Sequence, residues 1–500
     1  MARKVIESPS RALSEYVILP GYIDTGEEKI DMSAPLTAYG RGEEPRIRLN
    51  RSLLSAAMQA VTGPKLAVAL AQQGSLGVIY CSQPVGTQAG MIRDVKRYKG
   101  GFVVPDVLSP GTPICEAIER RNLRGYSTFP VTEDGTPSGR LIGLLTKNDF
   151  DDQYHRTMLA RERMIPVERL YTVMEQEVKG DLRIADGKLR ESHHGSIIIV
   201  DSKGCLISMV FKKDIRQHMD NPYELVDGKK RYMVGAAINT KDFTERVPEL
   251  MREEPDVFFT DTSQGFTGYM EKAVRYVKEN YDVPVIGGNV VTREGFEFLA
   301  DIGVDGVKVG MGPGSICITI EQIGVGRGQG TAVEEVCAAR DKFHAKTGRY
   351  IPVIADGGVV VAKDITVAYA LGADAVMMGR YFVGCDESNS PLVPSLTHRR
   401  RSVKLYWGEG SEKAKAWREG RYDQSDFPEG VVSEVDLTGP LKDYMTGTVS
   451  RIRDGMRKAG CTSIEDLHEN AFLQVHSALS VREAGAHDVT VVSDDDNFGR

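Results

Sequence analysis

A closed (β/α)8 barrel, interrupted by a smaller inserted domain, is the α/β fold that the sequence predicts, and three observations predict it. Eight short apolar, β-branched runs recur along the 500 residues, and helical periodicity follows most of them. The runs are near-continuously apolar, as parallel strands covered on both faces must be. One interval, from Tyr80 to Tyr232, is far too long for a single βα unit, and its middle contains an internal repeat. Eight βα units favour a closed barrel over an open doubly wound sheet.

The strands are expected at Leu54–Ala60, Leu76–Tyr80, Tyr232–Ile238, Val257–Asp261, Val283–Gly288, Gly306–Gly310, Ile351–Ala355 and Asp374–Met378. Most are 22–26 residues apart, the normal length of one unit. Helices are expected at Lys65–Gln73, Thr240–Glu253, Phe266–Asn280, Thr292–Ile302, Thr331–Thr347 and Lys363–Leu371. The long interval holds Gly125-Tyr-Ser-Thr-Phe-Pro-Val-Thr-Glu-Asp-Gly135 running on to Asp149, and Gly195-Ser-Ile-Ile-Ile-Val-Asp-Ser-Lys-Gly204 running on to Asp214. Each piece reads as strand, acidic turn with glycine, strand, then a helix start. The pair resembles tandem CBS modules spanning about 102–220; an irregular αβ insertion is the alternative. After the last strand, 386–435 is polar and contains both tryptophans, Trp407 and Trp417. A stretch this long at the mouth of a barrel suggests a mobile lid.

Composition excludes several classes. No run of about 18 apolar residues exists, so no membrane-spanning helix is expected. The first residues lack the apolar stretch of a secretory signal. Lys+Arg number 63 and Asp+Glu 70, a net charge of −7, which makes a nucleic-acid partner unlike this chain. The seven cysteines are scattered without Cys-x-x-Cys, arguing against zinc ribbons and disulfide frameworks and for a cytoplasmic protein. No Walker-type loop and no Rossmann fingerprint follows a strand. His193-His194 reads as a solvated turn. Glycine is in excess, and 18 of the 52 fall in 287–384, on the later strands. Backbone there must turn tightly or approach a ligand closely.

Barrel chemistry sits at the carboxyl ends of the strands. The sixth strand runs into Gly310-Met-Gly-Pro-Gly-Ser-Ile-Cys-Ile-Thr319, whose alternate glycines leave backbone groups open to a phosphate or a bare cation. Cys317 follows as a candidate nucleophile. The seventh strand ends in Ala355-Asp-Gly-Gly358 and the eighth in Met378-Gly-Arg380. Their glycine N–H groups and Arg380 suit a phosphate, and Asp356 suits a ribose diol, unless it is a plain turn aspartate. Together these read as a nucleotide monophosphate pocket beside a thiol.

With those residues on the page, the chain resembles the inosine 5′-monophosphate dehydrogenase family over nearly its whole length. Gly312-Pro-Gly-Ser-Ile-Cys-Ile-Thr319 is the most specific match. Asn289 in Gly287-Gly-Asn-Val-Val-Thr292, Tyr406-Trp-Gly-Glu-Gly-Ser411, Arg421-Tyr-Asp423 and Glu429-Gly-Val431 agree as well. The family's usual architecture places a CBS pair after the second βα unit, so the barrel would comprise 1–101 and 221–500.

The resemblance implies an NAD-dependent oxidation serving guanine nucleotide synthesis. Cys317 would attack carbon 2 of inosine monophosphate, with hydride passing to NAD. A flap carrying Arg421 and Tyr422 would then take the cofactor's place, and water would hydrolyse the thioimidate to xanthosine monophosphate. Arg421 would act as base or orient one, although a guanidinium normally stays protonated. Thr319 would help activate water, with Glu429 as an alternative proton acceptor. Position by position, Ser315, Gly358, Gly379, Arg380 and Tyr406 would hold the phosphate, Asp356 would take the ribose hydroxyls, and Asn289 would also bind the substrate. Met58, Glu409, Gly410 and Glu429 would line the base. Asp261, Ser263, Gly310 and Gly312 would meet the nicotinamide riboside. Carbonyls of Gly312, Gly314 and Cys317 would bind potassium, completed by Glu483, Ala484 and Gly485 of a neighbouring subunit in a homotetramer. The CBS pair would be a place for purine nucleotides. Three positions depart from the family's pattern: Ile320 where Arg or Gln is common, Ala484 for Gly, and Gly330 for Ala. GMP reductase, the nearest rival, lacks the Arg-Tyr flap.

Overall fold

The computed structural model describes residues 5–23, 29–98, 101–103, 105–124, 127–179, 181–397, 401–415 and 428–487. They divide into two compact units, Met1–Ile92 with Val234–Arg500, and Arg93–Met233.

The first unit is a closed barrel of eight parallel strands: β1 (Leu53–Ser55), β2 (Leu76–Ile79), β3 (Gly235–Ile238), β4 (Val257–Thr260), β5 (Val285–Val290), β6 (Gly306–Val309), β7 (Val353–Asp356) and β8 (Ala375–Met378). Each strand neighbours the next, and β8 closes on β1 through Val376↔Leu53. β2 and β3 pair directly, Val78 with Gly235, despite the long interval between them. Side chains such as Leu54, Val78, Phe258, Val307 and Ile354 are fully buried, which accounts for the unbroken apolar runs.

Local chemistry sets the helices around the barrel. Pro64 opens Pro64–Gln72 at the position where its missing N–H costs nothing. Thr267 and Thr292 cap Gly268–Asn280 and Arg293–Asp301 with their side chains. The expected elements are all present, shifted at their ends. The first strand stops at Ser55 because the chain turns at Ala56–Gln59, where the Met58 N–H reaches the Ala56 carbonyl (2.8 Å). The fifth runs on to Val290, with a register break between Gly288 and Val290 that lifts Asn289 out of the ladder. Tyr16–Ile18 pairs with Leu473–Val475, and the segment before it crosses the start of Gln329–Thr347. Gly330 is required there, since a Cβ would lie 2.5 Å from the Tyr16 ring.

After β8 the chain forms a three-stranded antiparallel sheet, β9 (Leu392–Pro394), β10 (Ser402–Trp407) and β11 (Val432–Val435), ordered β9-β10-β11. Part of the stretch expected to be irregular is therefore sheet. Trp417, Arg421 and Tyr422 lie outside the described residues.

The second unit repeats one design. Thr128–Thr132 pairs with Leu141–Thr146, and Ser196–Val200 pairs with Leu206–Phe211, each with a register break before its last residue. Asp134 and Asp201 accept backbone N–H groups within the two turns. The Leu141 N–H donates to Gly204 and the Leu206 N–H to Gly139 (both 3.0 Å), so the hairpins meet reciprocally. One expectation fails here. Phe211-Lys-Lys-Asp214 leads into the helix Lys212–Met219, but Thr146-Lys-Asn-Asp149 does not start a helix. The Asp149 carboxylate instead accepts the Thr146 N–H and hydroxyl (2.6 and 2.7 Å), closing a turn. No helix among the described residues is long and apolar enough to cross a membrane.

Candidate active site

The carboxyl ends of the strands bring the predicted groups together. The loop after β6 leaves the barrel at Gly310 (φ +147°), where a Cβ would lie 2.1 Å from the Asp356 carbonyl oxygen. Gly312 (φ +89°) then turns the chain, and its missing Cβ makes room for the Ile320 side chain. The Cys317 N–H donates to the Gly314 carbonyl (2.9 Å), closing the turn that presents the thiol. The segment before β11 zips onto this loop. The Ile318 N–H donates to Glu429 (3.0 Å), the Val431 N–H to Ile316 (3.1 Å), and Cys317 bridges Gly430.

A short polar chain starts at the sulfur. Cys317 Sγ lies 3.1 Å from Thr319 Oγ1, and the Thr319 hydroxyl donates to Glu429 Oε2 (3.0 Å). Thr319 is buried at 6% exposure, so this contact is shielded from bulk water. The Glu429 N–H donates to Gly410 (3.1 Å), which joins two expected base-lining residues.

Asp356, at the end of β7, accepts from Asn289 Nδ2 (2.9 Å) and Lys308 Nζ (3.4 Å). Asn289 also donates to the Gly310 carbonyl (2.8 Å). Its own Oδ1 is buried with no hydrogen-bond partner among the described residues, an open acceptor for a ligand hydroxyl. Gly357 and Gly358 both have positive φ (+88° and +77°) and pack against Pro313 of the cysteine loop. Gly379 follows β8 directly, and a Cβ there would lie 2.5 Å from the Tyr406 hydroxyl. That hydroxyl sits 3.9 Å from Met58 Sδ. Burial holds the Tyr406 pKa above its ordinary value, so the phenol remains a donor at neutral pH. Arg380 is partly exposed next to Gly379, and Ser315 is exposed on the cysteine loop.

Glu409 accepts the Gln59 N–H (2.7 Å) and the Ser82 hydroxyl. Asp261, just past β4, accepts from the Cys81 thiol (3.5 Å). Ser263 is exposed on the same loop, which is tied back by the Gly265 N–H to Asn289 carbonyl bond (2.7 Å). Glu483, Ala484 and Gly485 are exposed at the end of Ala478–Glu483, an element separate from the cysteine loop. Arg421 and Tyr422 fall outside the described residues.

Sequence reasoning missed Lys308, Cys81, Ser82 and Gln59. Lys308 carried a signal, since a lysine inside a buried strand demands a partner. A hollow of about 570 Å³ lined by Tyr39, Arg41, Asp305 and Arg349 lies at the amino ends of the strands, away from these groups.

Three comparisons bear on this arrangement. A family model described as the IMP dehydrogenase / GMP reductase domain matches residues 11–487. The chain is 39% identical over 499 residues to an inosine-5′-monophosphate dehydrogenase of Tritrichomonas foetus, covering 98% of each. It is 33% identical over 503 residues to the enzyme of that name from Escherichia coli K12, covering 99% of each. Among solved structures, a GMP reductase variant of Trypanosoma brucei in complex with guanosine 5′-monophosphate aligns with a TM-score of 0.75 at 26% identity, covering 97% of this chain and 98% of that one.

Proposed function

The chain belongs to the IMP dehydrogenase / GMP reductase family, and from that premise we propose that it oxidises inosine 5′-monophosphate to xanthosine 5′-monophosphate through a covalent adduct on Cys317, for guanine nucleotide synthesis. The observation that carries this reading is the Cys317–Thr319–Glu429 chain at the mouth of the barrel. A thiol there has a hydroxyl and a carboxylate in line, the groups needed to accept a proton once a thioimidate must be hydrolysed.

In the first step the Cys317 thiol gives up its proton to solvent as Sγ bonds to carbon 2 of the purine, and that carbon gives up its hydrogen as hydride. NAD, when bound, would supply the acceptor for that hydride. Asp261 at the end of β4 fits the nicotinamide ribose as a hydrogen-bond acceptor, with Ser263, Gly310 and Gly312 around it. Asp356 and the open Asn289 acceptor fit the substrate ribose. Ser315, Gly358, Gly379, Arg380 and Tyr406 supply donors for the phosphate, and Met58, Glu409, Gly410 and Glu429 surround the base. In the second step water replaces sulfur at carbon 2; one water proton passes through Thr319 to Glu429, or toward Arg421, and returns to the sulfur to restore the thiol, while the other ends on the ring nitrogen. The segment 386–435, with Arg421 and Tyr422, serves as the flap.

A hard monovalent cation prefers oxygen ligands, and the carbonyls of Gly312, Gly314 and Cys317 on one glycine-turned loop fit potassium. The exposed Glu483-Ala-Gly485 segment would complete that site from a neighbouring copy in a homotetramer. Residues 102–220 serve as a tandem CBS pair that supplies no reacting group and takes purine nucleotides, and the protein works in the cytoplasm.

The test is absorbance of NADH from inosine monophosphate and NAD, with and without potassium. Turnover is expected, faster with potassium. Cys317→Ala should give no NADH at all. Arg421→Ala should give a burst of about one NADH per site and then stall. Consumption of NADPH with guanosine monophosphate, and no NADH from inosine monophosphate, would assign the reductase reaction instead.

A further inference from the structure

The turn that follows β2 has no place in the chemistry above, yet two of its residues hold two of the carboxylates that chemistry uses. The Cys81 thiol donates to Asp261 Oδ2 (3.5 Å), and the next residue, Ser82, donates its hydroxyl to Glu409 Oε2. Both are buried, at 0% and 2% exposure. The two residues are adjacent, so one short segment reaches both carboxylates.

The segment is itself fixed. The Gln83 N–H donates to the Cys81 carbonyl (2.9 Å), and Gln83 Nε2 donates to the Tyr80 carbonyl (2.8 Å). Gln59 Nε2 donates to the Ser82 carbonyl (2.9 Å), while the Gln59 N–H holds the other Glu409 oxygen (2.7 Å). Trp407 Nε1 closes the frame on Gln59 Oε1 (3.1 Å). An ionised carboxylate only accepts, so its orientation is set by the donors it meets.

We propose that Cys81 and Ser82 are paired positioning residues, Cys81 orienting Asp261 for the dinucleotide and Ser82 orienting Glu409 for the purine. The two half-sites are thereby registered to each other by adjacent residues of one turn. The assignment of Asp261 and Glu409 to those half-sites rests on the function proposed above.

The full-length protein tests this with KM for each substrate and with calorimetric binding of each alone. A thiol is a weak donor, so Cys81→Ala should raise KM and Kd for NAD about threefold and leave those for inosine monophosphate unchanged. Cys81→Ser should restore them. A hydroxyl donating to a carboxylate is worth more, so Ser82→Ala should raise KM and Kd for inosine monophosphate about tenfold and spare NAD. If Cys81 acts through Asp261, Cys81→Ala should add nothing to Asp261→Asn. Equal effects on both substrates, no rescue by serine, or full additivity with Asp261→Asn would overturn the proposal. A wild-type chain that binds both molecules but makes no NADH would sink the reaction and leave the binding comparison decisive for the turn.

Discussion

At the scale of single residues, what could be read in the sequence was chemistry carried on one local segment. The glycines at 310, 312, 357 and 358 announced an open backbone, and all four have positive φ. Cys317 and Thr319, two residues apart, meet through their side chains. Cys81, Ser82 and Gln59 left no such mark, because their partners lie 180, 327 and 350 residues away and only barrel closure joins them. Ile320 fills space left by two glycines. A Cβ at Gly312 or Gly326 would lie 2.4 Å from its side chain. An apolar residue is thus seated beside Thr319. The Thr319 hydroxyl can be tested alone, since Thr319→Val keeps the shape and removes the link between sulfur and carboxylate. General base assistance is worth roughly 100-fold or more. Stopped-flow NADH should show the first burst intact and steady turnover reduced about 100-fold; unchanged steady turnover would remove Thr319 from the hydrolytic step.

At the scale of elements, the apolar runs located all eight strands, but their ends were set by contacts no run encodes. Ile351 and Pro352 are apolar and buried, yet β7 begins at Val353, where the N–H is held by Asp374 Oδ2 (2.8 Å). Thr146–Asp149 had the pattern of a helix start and became a turn because a carboxylate captured the backbone first. The segments leading into and out of the second unit show the reverse case, charge doing what apolar packing does elsewhere. Asp227 pairs with Lys96 (3.0 Å) and Arg231 (2.8 Å), and all three side chains are largely buried. Burial alone would raise the Asp227 pKa, but Lys96 and Arg231 hold it below its ordinary value. A carboxylate with a depressed folded pKa gives stability that is present above the unfolded value and lost as pH falls through the folded one. The second unit should therefore weaken as pH drops below about 4. Asp227→Asn leaves two buried cations facing a neutral amide, at a cost of about 3–5 kcal/mol. Melting curves from pH 3 to 7 should show the variant lower at pH 7 and flatter in acid. Identical curves would assign that stability to packing.

At the scale of the molecule, the repeat was legible because each half carries its own strand-turn-strand signature, whereas its boundary was not. The compact second unit runs from Arg93 to Met233, wider than the 102–220 expected from the repeat. The additional residues on its two sides contact one another. Tyr98 and Tyr232 stack with ring centroids 6.1 Å apart, and the Tyr232 N–H donates to the Tyr98 carbonyl (3.0 Å), beside the Lys96–Asp227 pair. Three apolar clusters of the unit, built on residues such as Phe129, Ile197 and Met209, lie wholly between 102 and 220. Excising 102–220 removes those clusters entire and keeps the Tyr98–Tyr232 and Lys96–Asp227 contacts. The ends to be joined are close, since Gly101 approaches the His218 ring and the Asn221 N–H donates to the His218 carbonyl (3.1 Å). A few Gly/Ser residues should bridge them, as at other tolerated insertion points. Every group assigned to the reaction lies outside the excised segment. The shortened chain should therefore keep its turnover within about threefold at saturating inosine monophosphate and NAD, and lose only responses to nucleotides that act through the repeat. A shortened chain that melts cooperatively, binds inosine monophosphate and yet makes no NADH would show that the second unit takes part in catalysis itself.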